Sequence, residues 1–165
     1  MNIAWVFYKG NIILINCGVK KNTTLLSALA EPTRYLSEGA TKYKTIIGGT
    51  KMFTKTEITH SFNASRDLVF KAFTESEHLQ NWWGPKGWAF DISKFEICQD
   101  GVLHYSQTSP DGNVMWVKFV YHEVNASEKL VYTSFFSDEE GNIVRAPFND
   151  NWPLETLNTF TFTEH

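Results

Sequence analysis

The residues of this chain with chemistry to offer are two strand histidines, a few serines and one acidic run. His104 and His122 fall in segments that read as neighbouring strands. An imidazole pair of that kind would suit proton transfer near neutral pH. No carboxylate stands at a fixed spacing from either, however, and neither an HExxH run nor a third ligand accompanies them, so no metal site follows. Ser61, Ser65 and Ser134 lack a GxSxG setting, which leaves nucleophilic chemistry without support. Asp138-Glu139-Glu140 lacks the calcium-loop pattern and reads as a solvated turn. Cys17 and Cys98 are isolated thiols with no CxxC, as expected of a protein kept reduced in the cytoplasm. No catalytic residue, metal or cofactor is expected.

The stronger signal is aromatic. Phe, Trp and Tyr make up 15% of the chain, with 13 Phe and 6 Trp. Such side chains bury large areas and suit broad sheets or cavity walls. Trp82 and Trp83 stand together before Gly84-Pro85, placed either to guard a cavity or to anchor a helix. Tyr105, Trp116, Phe119, Tyr121, Tyr132, Phe136, Phe160 and Phe162 lie in strand-like segments and are candidates for a pocket wall. Alternation sends Tyr132 and Phe136 to one face, and Phe160 and Phe162 likewise. Pockets of this kind are mostly apolar, with few polar groups to orient a ligand. Ordinary core packing is the competing explanation for each ring.

The elements that would position these rings follow from pattern and punctuation. Thr56, Ile58, His60 and Phe62 alternate with polar residues and predict a strand. Ser65 is a suitable N-cap for a helix over Arg66 to Phe73, with Asp67 in its first turn. Thr74 and Glu77 have capping-box spacing for a second helix, on which Leu79, Trp82 and Trp83 share a face. Gly84-Pro85 should stop it. An antiparallel meander is predicted next: Trp88 to Cys98, Val102 to Gln107, Val114 to Val124, Leu130 to Phe136 and Leu157 to Thr163. Strand, two helices, then at least five strands indicates an α+β domain with helices on one face of a curved antiparallel sheet.

Upstream the pattern weakens. Ile3 to Tyr8 and Ile12 to Asn16 flank a Lys9-Gly10-Asn11 turn and predict a hairpin; Thr24 to Ala30 predicts a short helix. Thr41 to Lys51, with Gly48-Gly49, reads as linker. The division is therefore an N-terminal extension, 1–51, and a domain from 52 to 165. A net charge of −3 gives no reason to expect nucleic acid. No unbroken apolar run approaches membrane-spanning length.

Residues 58 to 165 resemble the family named after the activator of the heat shock protein 90 ATPase, in the START-like (SRPBCC) superfamily. The resemblance rests on Ala64 to Thr74, on Glu77 to Gly87 with its Trp82-Trp83-Gly84-Pro85 run, and on Asp111-Gly112 with Trp116. It continues through Glu128 to Tyr132, Phe136 to Gly141 and Trp152-Pro153-Leu154-Glu155, the last of which adds Trp152 to the candidate wall. It implies a helix-grip fold, a sheet wrapped around a long C-terminal helix with an apolar cavity between. Three departures stand out. The chain ends at Glu164-His165, before the last strand and long helix usual in such domains; Cys98 and Asp100 replace an arginine and a glycine; and residues 1–51 have no counterpart. Within that extension, Leu26 to Arg34 resembles the opening of an arsenic-responsive winged-helix repressor, but it is too short to support DNA binding.

The function expected is binding of a small apolar or amphipathic molecule, with no defined catalysis. A chaperone ATPase-regulating interaction module and a cyclase- or hydrolase-type enzyme are the alternatives, since fold alone does not choose among them.

Overall fold

The computed structural model describes residues 12–19, 42–48, 51–150 and 152–164. Nine strands belong to one sheet: β1 Ile12–Val19, β2 Lys42–Gly48, β3 Lys51–Phe62, β4 Ala89–Phe95, β5 Val102–Thr108, β6 Val114–Asn125, β7 Lys129–Ser137, β8 Ile143–Val144 and β9 Thr156–Phe162. Their order across the sheet is β2-β3-β1-β9-β7-β6-β5-β4, with β8 attached to β7. Helix α1, Arg66–Thr74, and the single turn α2, Ser76–Leu79, come between β3 and β4. The result is an α+β domain in which few, short helices accompany a curved, mainly antiparallel sheet.

The meander forms where alternation placed it, and its strand limits differ from expectation by a residue or two, except at β4, which stops at Phe95. Two register shifts bend it, one between Ile92 and Lys94 and one between Tyr121 and Glu123. An extra residue in one strand of a pair increases local twist, so these shifts curl the β4–β6 side of the sheet. At the turn before β5, Asp100 has φ +62, a left-handed conformation that aspartate tolerates better than most residues. That tolerance explains how a non-glycine residue holds this turn.

Upstream of Phe62 the structure departs from expectation. Residues 42–48 are strand β2, paired antiparallel with β3, and not linker. Gly48 is the last residue of β2 and stands opposite Lys51, the first of β3. β1 runs parallel to both β3 and β9 and sits between them. The predicted strand at 3–8 and helix at 24–30 lie outside the described residues.

α1 begins as its sequence dictates. Ser65 is extended, and its Oγ accepts a hydrogen bond from the Leu68 N–H at 3.3 Å. The helix buries Val69, Phe70, Ala72 and Phe73. Phe73 lies 5.3 Å from Phe160 and 5.6 Å from Phe162 between ring centroids, and Phe70 lies 5.3 Å from Phe162. Each such buried ring stabilises the fold by about 1.5–3 kcal/mol relative to exposure. Thr74 does not cap a second helix. It is the last residue of α1, and its hydroxyl donates back to the Phe70 carbonyl at 2.9 Å. α2 consequently lasts one turn, with no side-chain cap.

Candidate ligand-binding site

Alternation sorts the strands into two faces. The face toward α1 carries Leu103, Tyr105 and Gln107 from β5, Val117, Phe119 and Tyr121 from β6, Leu130, Tyr132 and Phe136 from β7, and Phe160 and Phe162 from β9. All of these are buried. Register brings the rings together: Val117 stands opposite both Tyr105 and Phe136, and Tyr121 opposite Tyr132. Tyr132 is stacked between Phe119 at 4.3 Å and Phe160 at 5.6 Å, and Phe119 also meets Tyr105 edge-on at 5.6 Å.

The two tryptophans after α2 close over this wall and do different work. Trp82 donates its indole N–H to the Ala72 carbonyl at 2.9 Å and packs on Phe73 at 4.7 Å, which ties the post-helix turn to α1. Trp83 reaches Phe119 at 5.9 Å, and its indole approaches the Tyr105 hydroxyl. Gly84 follows with φ +93, and a Cβ there would lie 2.4 Å from Gln107 Nε2. Glycine is required both by that backbone angle and by the amide that fills the space beside it.

Of the residues proposed from sequence for a pocket wall, Trp82, Trp83, Tyr105, Phe119, Tyr121, Tyr132 and Phe136 share this interior. Trp152 is half-buried at its border. With Val117, Ser134, Phe136 and Pro153 it lines an open recess with room for about one water molecule. Trp116 lies on the opposite face, where it stacks on His104 at 4.9 Å with rings 25° apart. The interior rings are in mutual contact, so a bound molecule would have to displace side chains. Gln107 was not anticipated, although its alternation with Leu103 and Tyr105 places it on this wall.

Polar groups here are few and uncharged. Among residues 62–150 and 152–164, no Lys, Arg, Asp or Glu is buried as a whole, although the Nε of half-buried Arg66 at the start of α1 is enclosed. Asn158 donates to Ser134 Oγ at 3.0 Å and to the Thr156 carbonyl at 2.9 Å. The Tyr132 hydroxyl and Gln107 Nε2 are buried without a hydrogen-bond partner. Burial raises the Tyr105, Tyr121 and Tyr132 hydroxyls above the usual tyrosine range; the neighbouring phenols raise Tyr121 and Tyr132 further, and a hydrogen bond from Trp83 partly offsets the rise at Tyr105.

The histidines do not form a pair. His104 is buried on the outer face, with Nδ1 2.7 Å from Ser93 Oγ and Nε2 3.1 Å from both Ser137 Oγ and the Asp138 carbonyl oxygen. His122 is exposed and meets Thr133 Oγ1 at 2.7 Å. Ser65 is a helix cap, and Ser134 is engaged with Asn158. Asp138 accepts hydrogen bonds from the Asn142 backbone and side chain, as a turn residue does. No group of His, Cys, Asp and Glu able to hold a metal occurs among the described residues. Nor is any helix among them long and apolar enough to cross a membrane.

Helices laid on one face of a curved antiparallel sheet, with an aromatic interior between, define a START-like α+β domain. The family described as activator of Hsp90 ATPase homolog 1-like protein matches residues 63–165, and the chain belongs to that family. No curated protein matches it. Protein Ms6760 from Mycobacterium smegmatis has a similar structure, with TM-score 0.52 and 22% identity over 62% of this chain and 59% of that one. The chain thus spans less than two thirds of that protein, and the likeness concerns the fold. A protein from Arthrobacter aurescens is 27% identical over 49% of this chain and 47% of its own, with TM-score 0.46.

Proposed function

We propose that this domain binds a small apolar or amphipathic molecule between its aromatic sheet face and the segment 66–83. The observation that carries this reading is the wall itself. Rings from four strands converge under Trp83, with a few uncharged polar groups among them. A ligand entering there would gain about 25 cal/mol for each Å² of apolar surface removed from water. That gain has to exceed the cost of parting rings already in contact. β1 and β2 join the same sheet as the family-matched strands, which supports treating residues 12–19 and 42–48 as part of one folding unit with them. Cytoplasmic residence is consistent with the exposed free thiol of Cys98.

The test is titration of the folded chain with Nile red, an uncharged solvatochromic dye. Saturable binding that Trp83→Phe weakens supports the proposal; Trp83→Phe is preferable to Trp83→Ala because it retains a ring in the core. Absence of saturable binding to a well-folded sample argues against it. A chaperone-regulating role is the second reading, favoured by the family's description. It requires the chain to raise the ATPase rate of a heat-shock chaperone.

A further inference from the structure

The aromatic wall contains more hydrogen-bond donors than its own acceptors satisfy. Tyr132 is 3% exposed and Gln107 is 2% exposed, yet the Tyr132 hydroxyl and the Gln107 amide nitrogen have no partner. Buried polar groups are nearly always paired, so two orphans in one interior call for an explanation. Tyr132 is not alone. Its ring lies 5.3 Å from that of Tyr121, and Phe119, on which it stacks, also touches Tyr105. Gln107, two residues beyond Tyr105 on the same face of β5, extends these polar groups to Gly84, next to Trp83.

We propose that the hydroxyls of Tyr132, Tyr121 and Tyr105, with the Gln107 amide as a second donor, recognise an uncharged oxygen-bearing group such as a phenol, alcohol or ketone on an otherwise apolar ligand. The inference rests on the binding function proposed above and adds the chemistry of the ligand's polar end. Uncharged is the operative word. Among residues 62–150 and 152–164 no Lys or Arg is buried as a whole, so a carboxylate against these phenols would be desolvated without a counter-charge from them. The upward displacement of all three hydroxyls expresses the same intolerance of negative charge. An oxygen acceptor, by contrast, would satisfy a donor that otherwise stays unpaired.

The experiment compares p-cresol, p-xylene and 4-methylbenzoate on the full chain at neutral pH by calorimetry. The first two differ by hydroxyl against methyl at nearly constant shape, and the third presents a charged oxygen group. The expected result is p-cresol binding about fivefold to tenfold tighter than p-xylene, with 4-methylbenzoate weakest. Tyr132→Phe should then abolish the p-cresol preference, read as the ratio of p-cresol to p-xylene affinity. Equal binding of p-cresol and p-xylene by the wild-type chain, or a preference that survives Tyr132→Phe, would overturn the inference while leaving the apolar pocket standing. Failure of all three probes would remove the pocket and this inference together. As an independent readout, Tyr132→Phe should raise the unfolding temperature of the unliganded chain, because it deletes an orphaned hydroxyl. A lowered temperature would show that the hydroxyl already has a partner and would count against the proposal.

Discussion

Raising the pH should unfold this domain abruptly, and the three interior tyrosines set where. Burial holds the hydroxyls of Tyr105, Tyr121 and Tyr132 above the ordinary value of 10.0. An acid whose pKa is raised by folding keeps its proton in the native state and loses it in the unfolded chain. The unfolded state therefore binds fewer protons above pH 10, and stability falls as pH rises from there; below pH 10 these groups leave stability unchanged. Each costs about 1.4 kcal/mol per pH unit in that range, so three together remove roughly 4 kcal/mol per unit. A domain holding roughly 5–15 kcal/mol would collapse about one to four units above pH 10. The assay is phenolate absorbance followed alongside circular dichroism. No more than three of the 6 tyrosines should ionise before the fold is lost, and the rest should appear with the loss of ellipticity. Smooth titration of all six near pH 10 with the dichroism intact would refute the burial of these hydroxyls.

Three substitutions probe the frame around the wall. Gly101→Ala would place a Cβ 2.3 Å from the Glu96 carbonyl oxygen and 2.9 Å from Cys98 Sγ. It should cost roughly 1–3 kcal/mol in urea unfolding, and adding Cys98→Ala should not restore the loss, because the closer atom is backbone. Ser65→Ala removes the cap on α1 and should cost about 1 kcal/mol by the same measurement. Trp82→Phe keeps a ring but leaves the Ala72 carbonyl without its 2.9 Å donor, and should cost about 1–3 kcal/mol in thermal unfolding.

What the sequence revealed, and what it concealed, follows from the range of the forces involved. The five strands after Trp88 were legible because alternation and turn residues act locally. The same parity correctly paired Tyr132 with Phe136 and Phe160 with Phe162. Parity also contained two signals that are easily passed over. Trp116 is one residue out of step with Val117 and Phe119, which sends it to the outer face. Gln107 is in step with Tyr105, which sends it inward. Thr74 at capping-box spacing looked like a helix start, but its hydroxyl found a carbonyl one turn back in α1. The parallel seating of β1 between β3 and β9 could not be read, because its pairing partners are distant in the chain and no local turn specifies them. Lys42–Gly48 resembled a linker for the related reason that a strand depends on the partner it pairs with, and this segment is polar enough to pass for loop.

The most direct test uses the two faces against each other. Trp83 belongs to the interior and Trp116 to the outer face, so their indole N–H resonances report on opposite sides of one sheet. On saturation with Nile red, the Trp83 signal should shift strongly and the Trp116 signal should stay in place. A shift confined to Trp116, or no shift at Trp83 when the dye is bound, would contradict the interior as the binding site.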